Sequence, residues 1–333
     1  MSDSPLSSVA NPPQPTSAHT SEVNQAWARF KANRPALLSV WVLAAIVFLV
    51  AAWPIALRLA SLGGPTGIRF AQMHGPDHLS DEQFRPPNAR HWFGTDVHGR
   101  DLFSRVLYGA QVSLLVALVA AGVSLVIGVC WGGLAGYVGG RTDSLMMRCV
   151  DILYSLPSII FVIVLITTLD GVVKQALARL GLPGIDRAAR LIFLFVGLGL
   201  VSWLTMARIV RGQVLSLRQR AFVEASRALG AGPLHILMRH ILPNTLSVVV
   251  VYLTLTIPGI MIYESFLSYL GLGIQPPMAS WGSLLAEGAD QINPIRIYWW
   301  LIAFPGGFLL LTLLALTFVG DGLRDALDVR QRS

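Results

Sequence analysis

The chain is predicted to fold as an all-α polytopic membrane protein. Of its 333 residues 54% are hydrophobic and only 13% charged, whereas a soluble domain carries charge on about a quarter of its residues. The apolar residues also gather into runs long enough to cross a bilayer, whose hydrocarbon core of ~30 Å needs about 20 residues of helix. A third observation is what the runs leave over. Between the fourth and fifth lies a polar, strongly patterned stretch that no membrane crossing requires.

Six runs qualify as transmembrane helices: residues 36–57, 112–137, 150–169, 191–210, 245–262 and 298–319. Residues 1–35 are expected to be a cytosolic tail. Its first 22 residues are rich in Ser, Pro and Thr and lack a charged start followed by an apolar core. They read as disordered and not as a cleavable signal peptide, and a short amphipathic segment follows them. The first span must then serve as its own insertion signal. Residues 58–111 form an extracytoplasmic segment containing Gly63-Gly64-Pro65, Arg85-Pro86-Pro87 and His91-Trp92-Phe93. Residues 112–320 hold the other five spans as one core, and 321–333 are a cytosolic tail. The third span opens with Asp151 and contains Ser155 and Pro157; the fifth carries Pro258-Gly259.

The formal charge is +7. In a soluble protein that excess would suggest nucleic acid. Here the basic residues cluster at span ends, where they orient helices in a lipid bilayer, so no nucleic-acid partner is expected. The distribution gives a small cytosolic majority when both termini lie inside. Lys174, Arg179, Arg187 and Arg190 in the outer connection 171–190 run against it. Cys130 and Cys149 fall within or beside spans at the inner side. They exclude a disulfide framework at the outer face and read as packing residues.

Within the second span and just after it, Gly128, Gly132, Gly136 and Gly140 recur every four residues and so share a helix face. Small residues at that spacing let another helix approach closely. Arg208 and Arg211, one turn apart at the inner end of the fourth span, are expected to extend their stems to the headgroups.

The cytosolic connection 211–244 is the most specific part of the chain. Phe222, Ala225 and Leu229 fall on one helical face, and Arg220, Glu224 and Arg227 on the opposite side, with Glu224 within pairing reach of both arginines. Gly230 suits the left-handed cap that ends a helix. Gly232-Pro233 restarts one, with Pro in the first turn where its missing N–H costs nothing. Leu234, Leu237 and Ile241 repeat the apolar face. Two amphipathic pieces joined at a defined corner make a rigid knob, a docking surface for a cytosolic partner. Its candidate residues are Glu224, Ala225, Ser226, Gly230, Ala231 and Pro233.

An enzyme is not expected. His235 and His240 are separated by about 140° around a regular helix and do not converge on a metal. The chain has neither a His-Glu-x-x-His pattern nor a P-loop, and no acid–base or nucleophile constellation. No catalytic residue, metal or cofactor is assigned, and the substrate path stays unassigned.

The stretch from Glu224-Ala-Ser-Arg-Ala-Leu-Gly230 to Ile241-Leu-Pro-Asn244 resembles the EAA loop of bacterial ABC-importer permeases, with Ser226 in place of the usual second Ala. From Phe93-Gly-Thr-Asp-Val-His-Gly-Arg-Asp101 onward the chain is similar to the C-type permease subunit of oligopeptide and dipeptide importers. Ser144-Leu-Met-Met-Arg148, Ala207-Arg-Ile-Val-Arg-Gly212, Tyr263-Glu-Ser-Phe-Leu-Ser-Tyr-Leu-Gly-Leu-Gly273, Ser280-Trp-Gly282 and Gly320-Asp-Gly-Leu-Arg-Asp-Ala-Leu-Asp328 add to the likeness, as does Trp27-Ala-Arg-Phe-Lys-Ala-Asn33. The connection 171–190 is longer than in that family. The resemblance implies a type I importer core in the bacterial inner membrane, paired with a B-type permease subunit. It also implies two cytosolic ABC ATPase subunits, which bind the ATP and Mg, and an extracytoplasmic peptide-binding protein. The implied cargo is an oligopeptide. Dipeptides, glutathione, nickel chelates and peptide antibiotics are alternatives on the same fold, and a stand-alone channel or secondary transporter is a more distant one.

Overall fold

The computed structural model describes residues 16–179, 186–276 and 278–327. Helix α1 (Thr16–Ala32) begins inside the stretch expected to be disordered; residues 1–15 lie outside the described residues. Its Phe30 is buried with Ala36 and with Ala326 near the end of the chain. A side chain at Gly322 would collide with Ala36, which explains why a glycine stands there.

Helix α2 (Arg34–Leu62) contains the first predicted span. The Asn33 side chain accepts the Ala36 N–H at 3.2 Å and Pro35 occupies the first turn, a standard way of satisfying a helix start. A short α3 (Pro65–Met73) follows, so the expected outer segment is not all loop. Residues 74–101 then build a rigid corner. Asp96 accepts from the backbone N–H groups of His98 and Arg100, at 2.8 and 3.0 Å, and from the guanidinium groups of Arg100 and Arg105, both at 2.7 Å. Glu287, far along the chain, meets the same two arginines. Gly94 and Gly99 have φ of 79° and 71°; a Cβ on either would strike the backbone of Arg85 or Ser80. Asp101 ends the corner by accepting the Ser104 N–H at 3.0 Å, so α4 (Leu102–Val138) starts at Leu102 and not at Val112.

The third predicted span is not one helix. Gly139 and Gly140, both at positive φ, end α4 and open α5 (Gly140–Tyr154). Helix α6 (Ser158–Arg179) departs from α5 at 88°. Pro157 has no N–H to donate and disfavours helical geometry at Leu156, which breaks the chain there. Among the described residues, five unbroken helices are long and apolar enough to span a membrane, with the bent α5–α6 pair as a sixth.

Helix α7 is Asp186–Leu217. Much of the connection 171–190 therefore continues α6 or begins α7, and residues 180–185 lie outside the described residues. The knob comprises α8 (Ala221–Ala228), α9 (Pro233–Ile236) and a π-helical turn, Leu237–Ile241, running without a break into α10 (Leu242–Tyr269). A short α11 (Trp281–Ala289) opens with a capping box between Ser280 and Ser283. Helix α12 (Trp300–Leu327) takes in most of the expected carboxy-terminal tail, and residues 328–333 lie outside the described residues.

The most extensive contact joins α4 to α7, and the glycine stripe is its cause. A Cβ on Gly128 would stand 2.6 Å from Met206 Cβ; on Gly132, 3.0 Å from Arg211 N; on Gly136, 2.9 Å from Arg211 O. The approach is thus within this one chain. Gly140 does not belong to the stripe: nothing lies within 4 Å of a Cβ there and its φ is 57°. Cys130 and Cys149 do not fill the core either, since both are exposed. Inside α10, Glu264 is fully buried and accepts hydroxyl bonds from Ser268 at 2.7 Å and Ser113 at 3.1 Å, which ties α10 to α4.

Candidate coupling knob and membrane cavity

The knob is seated by four aliphatic residues. Val223 of α8, Ile236 of α9, and Leu237 and Ile241 of the π-turn are all buried against Met206, Val210 and Val214 of α7 and Val249 of α10. The seat is locked by Arg218, whose guanidinium donates to the carbonyls of Gly136 and Tyr137, both at 3.1 Å. A cation on the last carbonyls of α4 satisfies acceptors the helix leaves open and suits its dipole.

The corner has the geometry its glycine predicts. Gly230 adopts φ 82°, its N–H bonds to Arg227 O at 2.9 Å and the Ala231 N–H reaches back to Ser226 O at 3.1 Å, the two bonds of a Schellman turn. Pro233 occupies the first turn of α9, with Gly232 at its N-cap. Ser226 donates its hydroxyl to Phe222 O at 2.9 Å, so this departure from the usual alanine is satisfied locally.

Which face is buried differs from the periodicity reading. Val223, not Phe222 or Ala225, anchors α8. Phe222 is 40% exposed, Leu229 88%, Leu234 72% and Met238 58%, so these apolar side chains point outward, while Leu237 and Ile241 of the expected second face are buried. Glu224 and Ala225 are also exposed. Among the described residues Glu224 forms no ion pair with Arg220 or Arg227; Arg227 instead lies over the Tyr137 ring, 6.0 Å from its centroid.

The two histidines correct the sequence argument as well. Their rings lie 5.7 Å apart because the intervening turn is π-helical. Its wider i→i+5 turn narrows the angle between residues five apart below that of a regular helix. Among the described residues no cluster of three or more metal-ligating side chains occurs.

Neither Arg208 nor Arg211, near the knob end of α7, extends away from the protein; both pair with carboxylates of α5. Arg211 grips Asp143 of α5 with two nitrogens, at 2.5 and 2.6 Å. Arg208 binds Asp151 at 2.7 Å and covers the Tyr154 ring, 4.1 Å from its centroid. Charge-assisted pairs of this kind are the strong class of hydrogen bond. They fasten α5 across α7, just before the break at Pro157. Facing that break is a cavity of about 400 Å³ lined by α5, α6, α7 and α10.

The sequence reading missed Val223, Arg218, Asp143 and the cavity. Pro157 was a visible signal for the break. Nothing local marks Asp143 as the partner of a residue in α7.

Apolar helices of spanning length with a protruding, part-apolar knob define a multi-pass membrane protein built to be engaged by something else. Residues 128–333 match the family described as the binding-protein-dependent transport system inner membrane component, and the chain belongs to that family. It is 40% identical to a dipeptide transport system permease protein, DppC, of Bacillus subtilis, over 94% of this chain and 87% of the relative. Oligopeptide transport system permease proteins named OppC are similar too. That of Escherichia coli K12 is 43% identical over 91% of this chain and 90% of its own, and that of Haemophilus influenzae 46% over 73% and 71%.

Proposed function

We infer that the chain is one of two membrane subunits of an ATP-driven importer that moves peptides, oligopeptides foremost, across the bacterial inner membrane by alternating access. It pairs with a B-type permease, two cytosolic ABC ATPase subunits dock on it and its mate, and an extracytoplasmic binding protein delivers the cargo. ATP and Mg are bound by the ATPases; this chain binds no cofactor and catalyses nothing. Both termini lie in the cytosol, which places the knob there as well.

The observation that carries this reading is the set of outward apolar side chains on the knob. Phe222, Leu229, Leu234 and Met238 are exposed, yet the element beneath them is rigidly seated and continuous with α10. Burying a fully exposed side chain of this kind stabilises by about 1.5–3 kcal/mol; Leu229 and Leu234 come near that and the partly covered Phe222 and Met238 add less, a gain that favours a docked partner. Closure of the ATPase dimer would move the knob, and α10 with it, switching the cavity's access between the two sides.

Leu229→Asp tests the proposal without disturbing the chain's own packing, because that side chain is 88% exposed. The variant should insert and melt like wild type but lose co-purifying ATPase subunits and peptide uptake. Retention of both would reduce the knob to a solvated loop.

A further inference from the structure

The cavity beside the α5–α6 break has a wall of unusual chemistry for a membrane interior. Tyr154, Ser158, Ser202, Thr205, Thr256 and Tyr263 bring six hydroxyl groups to it, and among its lining residues there is no Asp, Glu, Lys or Arg. The remaining lining is aliphatic or aromatic apart from Gly259. The volume of about 400 Å³ lies within the ~300–1,000 Å³ typical of ligand sites.

Several of these hydroxyls have already committed their proton. Ser202 donates to Leu198 O at 3.1 Å and Thr256 to Tyr252 O at 2.7 Å. Ser158 and Tyr263 lie 3.1 Å apart, so one donates to the other and the acceptor keeps its own proton free. An oxygen whose hydrogen is engaged within its own helix still offers lone pairs. All six oxygens keep lone pairs and some keep a free proton, so the wall offers both acceptors and donors and suits a ligand that carries N–H and C=O groups. Along α5 and α7 the nearest charges are Asp151 and Arg208, which neutralise each other at 2.7 Å; on α10 Glu264 follows Tyr263 but is fully buried and held by Ser113 and Ser268.

Resting on the importer reading above, we propose that this cavity is a stretch of the substrate path that reads the peptide main chain. Backbone N–H groups of an extended peptide bond to the hydroxyl oxygens, while side chains lie against the apolar lining or point into the open mouth, where Tyr154 and Leu156 are about half exposed. Because the wall holds no fixed charge, it passes acidic, basic and neutral side chains alike. Selectivity by charge is absent from this part of the path by construction.

Placing a charge in the wall should create the selectivity that the wild type lacks. Thr205 is the position of choice, since it lines the cavity and is exposed. In the whole importer with its partner subunits, Thr205→Asp should raise uptake of lysine-containing over aspartate-containing short peptides by about tenfold, and Thr205→Lys should shift the ratio by a similar factor the other way. That is the expected effect of one charge acting over several ångströms in a half-wet cavity. A merely structural defect would depress both peptides equally and leave the ratio unchanged. A photo-crosslinking side chain at Thr256 supplies a second measurement: it should label a radioactive short peptide during turnover, and the same probe at Val126, exposed on α4 away from the cavity, should not. An unchanged ratio in both variants would overturn the proposal, as would cross-linking at 256 to another subunit in place of the peptide. Failure of the wild-type complex to take up any peptide would instead overturn the importer reading.

Discussion

Replacing Gly132 by Ala isolates the α4–α7 contact in a single carbon. The new Cβ would lie 3.0 Å from both Ala207 C and Arg211 N, and nearer still to Ala207 O, against ~3.5–4.0 Å for an ordinary carbon contact. All three are backbone atoms, so no side chain can rotate away and α7 must retreat by about 0.5–1 Å. A gap of that size forfeits roughly a quarter to a half of each dispersion contact it opens, and overpacking of this sort costs about 1–3 kcal/mol. Against it stands the gain of about 1 kcal/mol from Ala over Gly in a helix interior. Gly212 in α7 supplies the matched control, because a Cβ there meets nothing within 4 Å and only the helix gain applies. The helix gain cancels between the two variants, which should thus differ by the overpacking cost of about 1–3 kcal/mol. An unfolding entropy of about 2.1 cal/mol/K per residue comes to ~0.7 kcal/mol/K for 333 residues, so that is a difference in Tm of roughly 1–4 °C. Thermal melting of the detergent-purified complex reads it directly. If Gly132→Ala melts at or above Gly212→Ala, the close approach is not what the glycines are for.

Asp96→Asn should destabilise the corner of residues 74–101 by about 3–5 kcal/mol, because it leaves the buried guanidinium groups of Arg100 and Arg105 short of a carboxylate; the melting temperature checks it, and the rescue expected from its neighbour Glu287 is partial. Gly230→Ala meets no neighbour and costs only about 1–2 kcal/mol for a left-handed residue with a Cβ. It should keep uptake near wild type, whereas Gly230→Pro cannot adopt φ 82° and should lose it. Equal uptake by both variants would remove the corner from the mechanism.

The fold class was legible because spanning helices are written in composition, and the knob because Gly230 and Pro233 are strong local signals. Periodicity placed the apolar face of α8 but not its direction. Phe222 and Leu229 look like core residues to any argument that assumes an apolar face must find its partner in the same chain. The histidine pair was misjudged because the 100° step of a regular helix was applied across a π-turn, which depends on tertiary context and leaves no local mark. Asp143 and Asp151 meet Arg211 and Arg208 across more than fifty residues of sequence, and a pairing so remote has no local trace. The Gly94–Asp101 stretch could be quoted as a motif, but its physical meaning, one carboxylate organising two arginines and two backbone amides, needed coordinates.

The continuity of α9, the π-turn and α10 has a mechanical consequence. Pro233–Tyr269 is a single rod of 37 residues, about 55 Å long at ~1.5 Å per residue. If the rod tilts by about 5° around its knob end, its opposite end sweeps about 5 Å, roughly one helical turn. The far third of that rod carries Tyr263, on the cavity wall, and Glu264, clasped by hydroxyls of α10 and α4. Small strokes delivered at one membrane face are thus geared up into large ones at the other, and whatever drives the knob needs to push hard but not far.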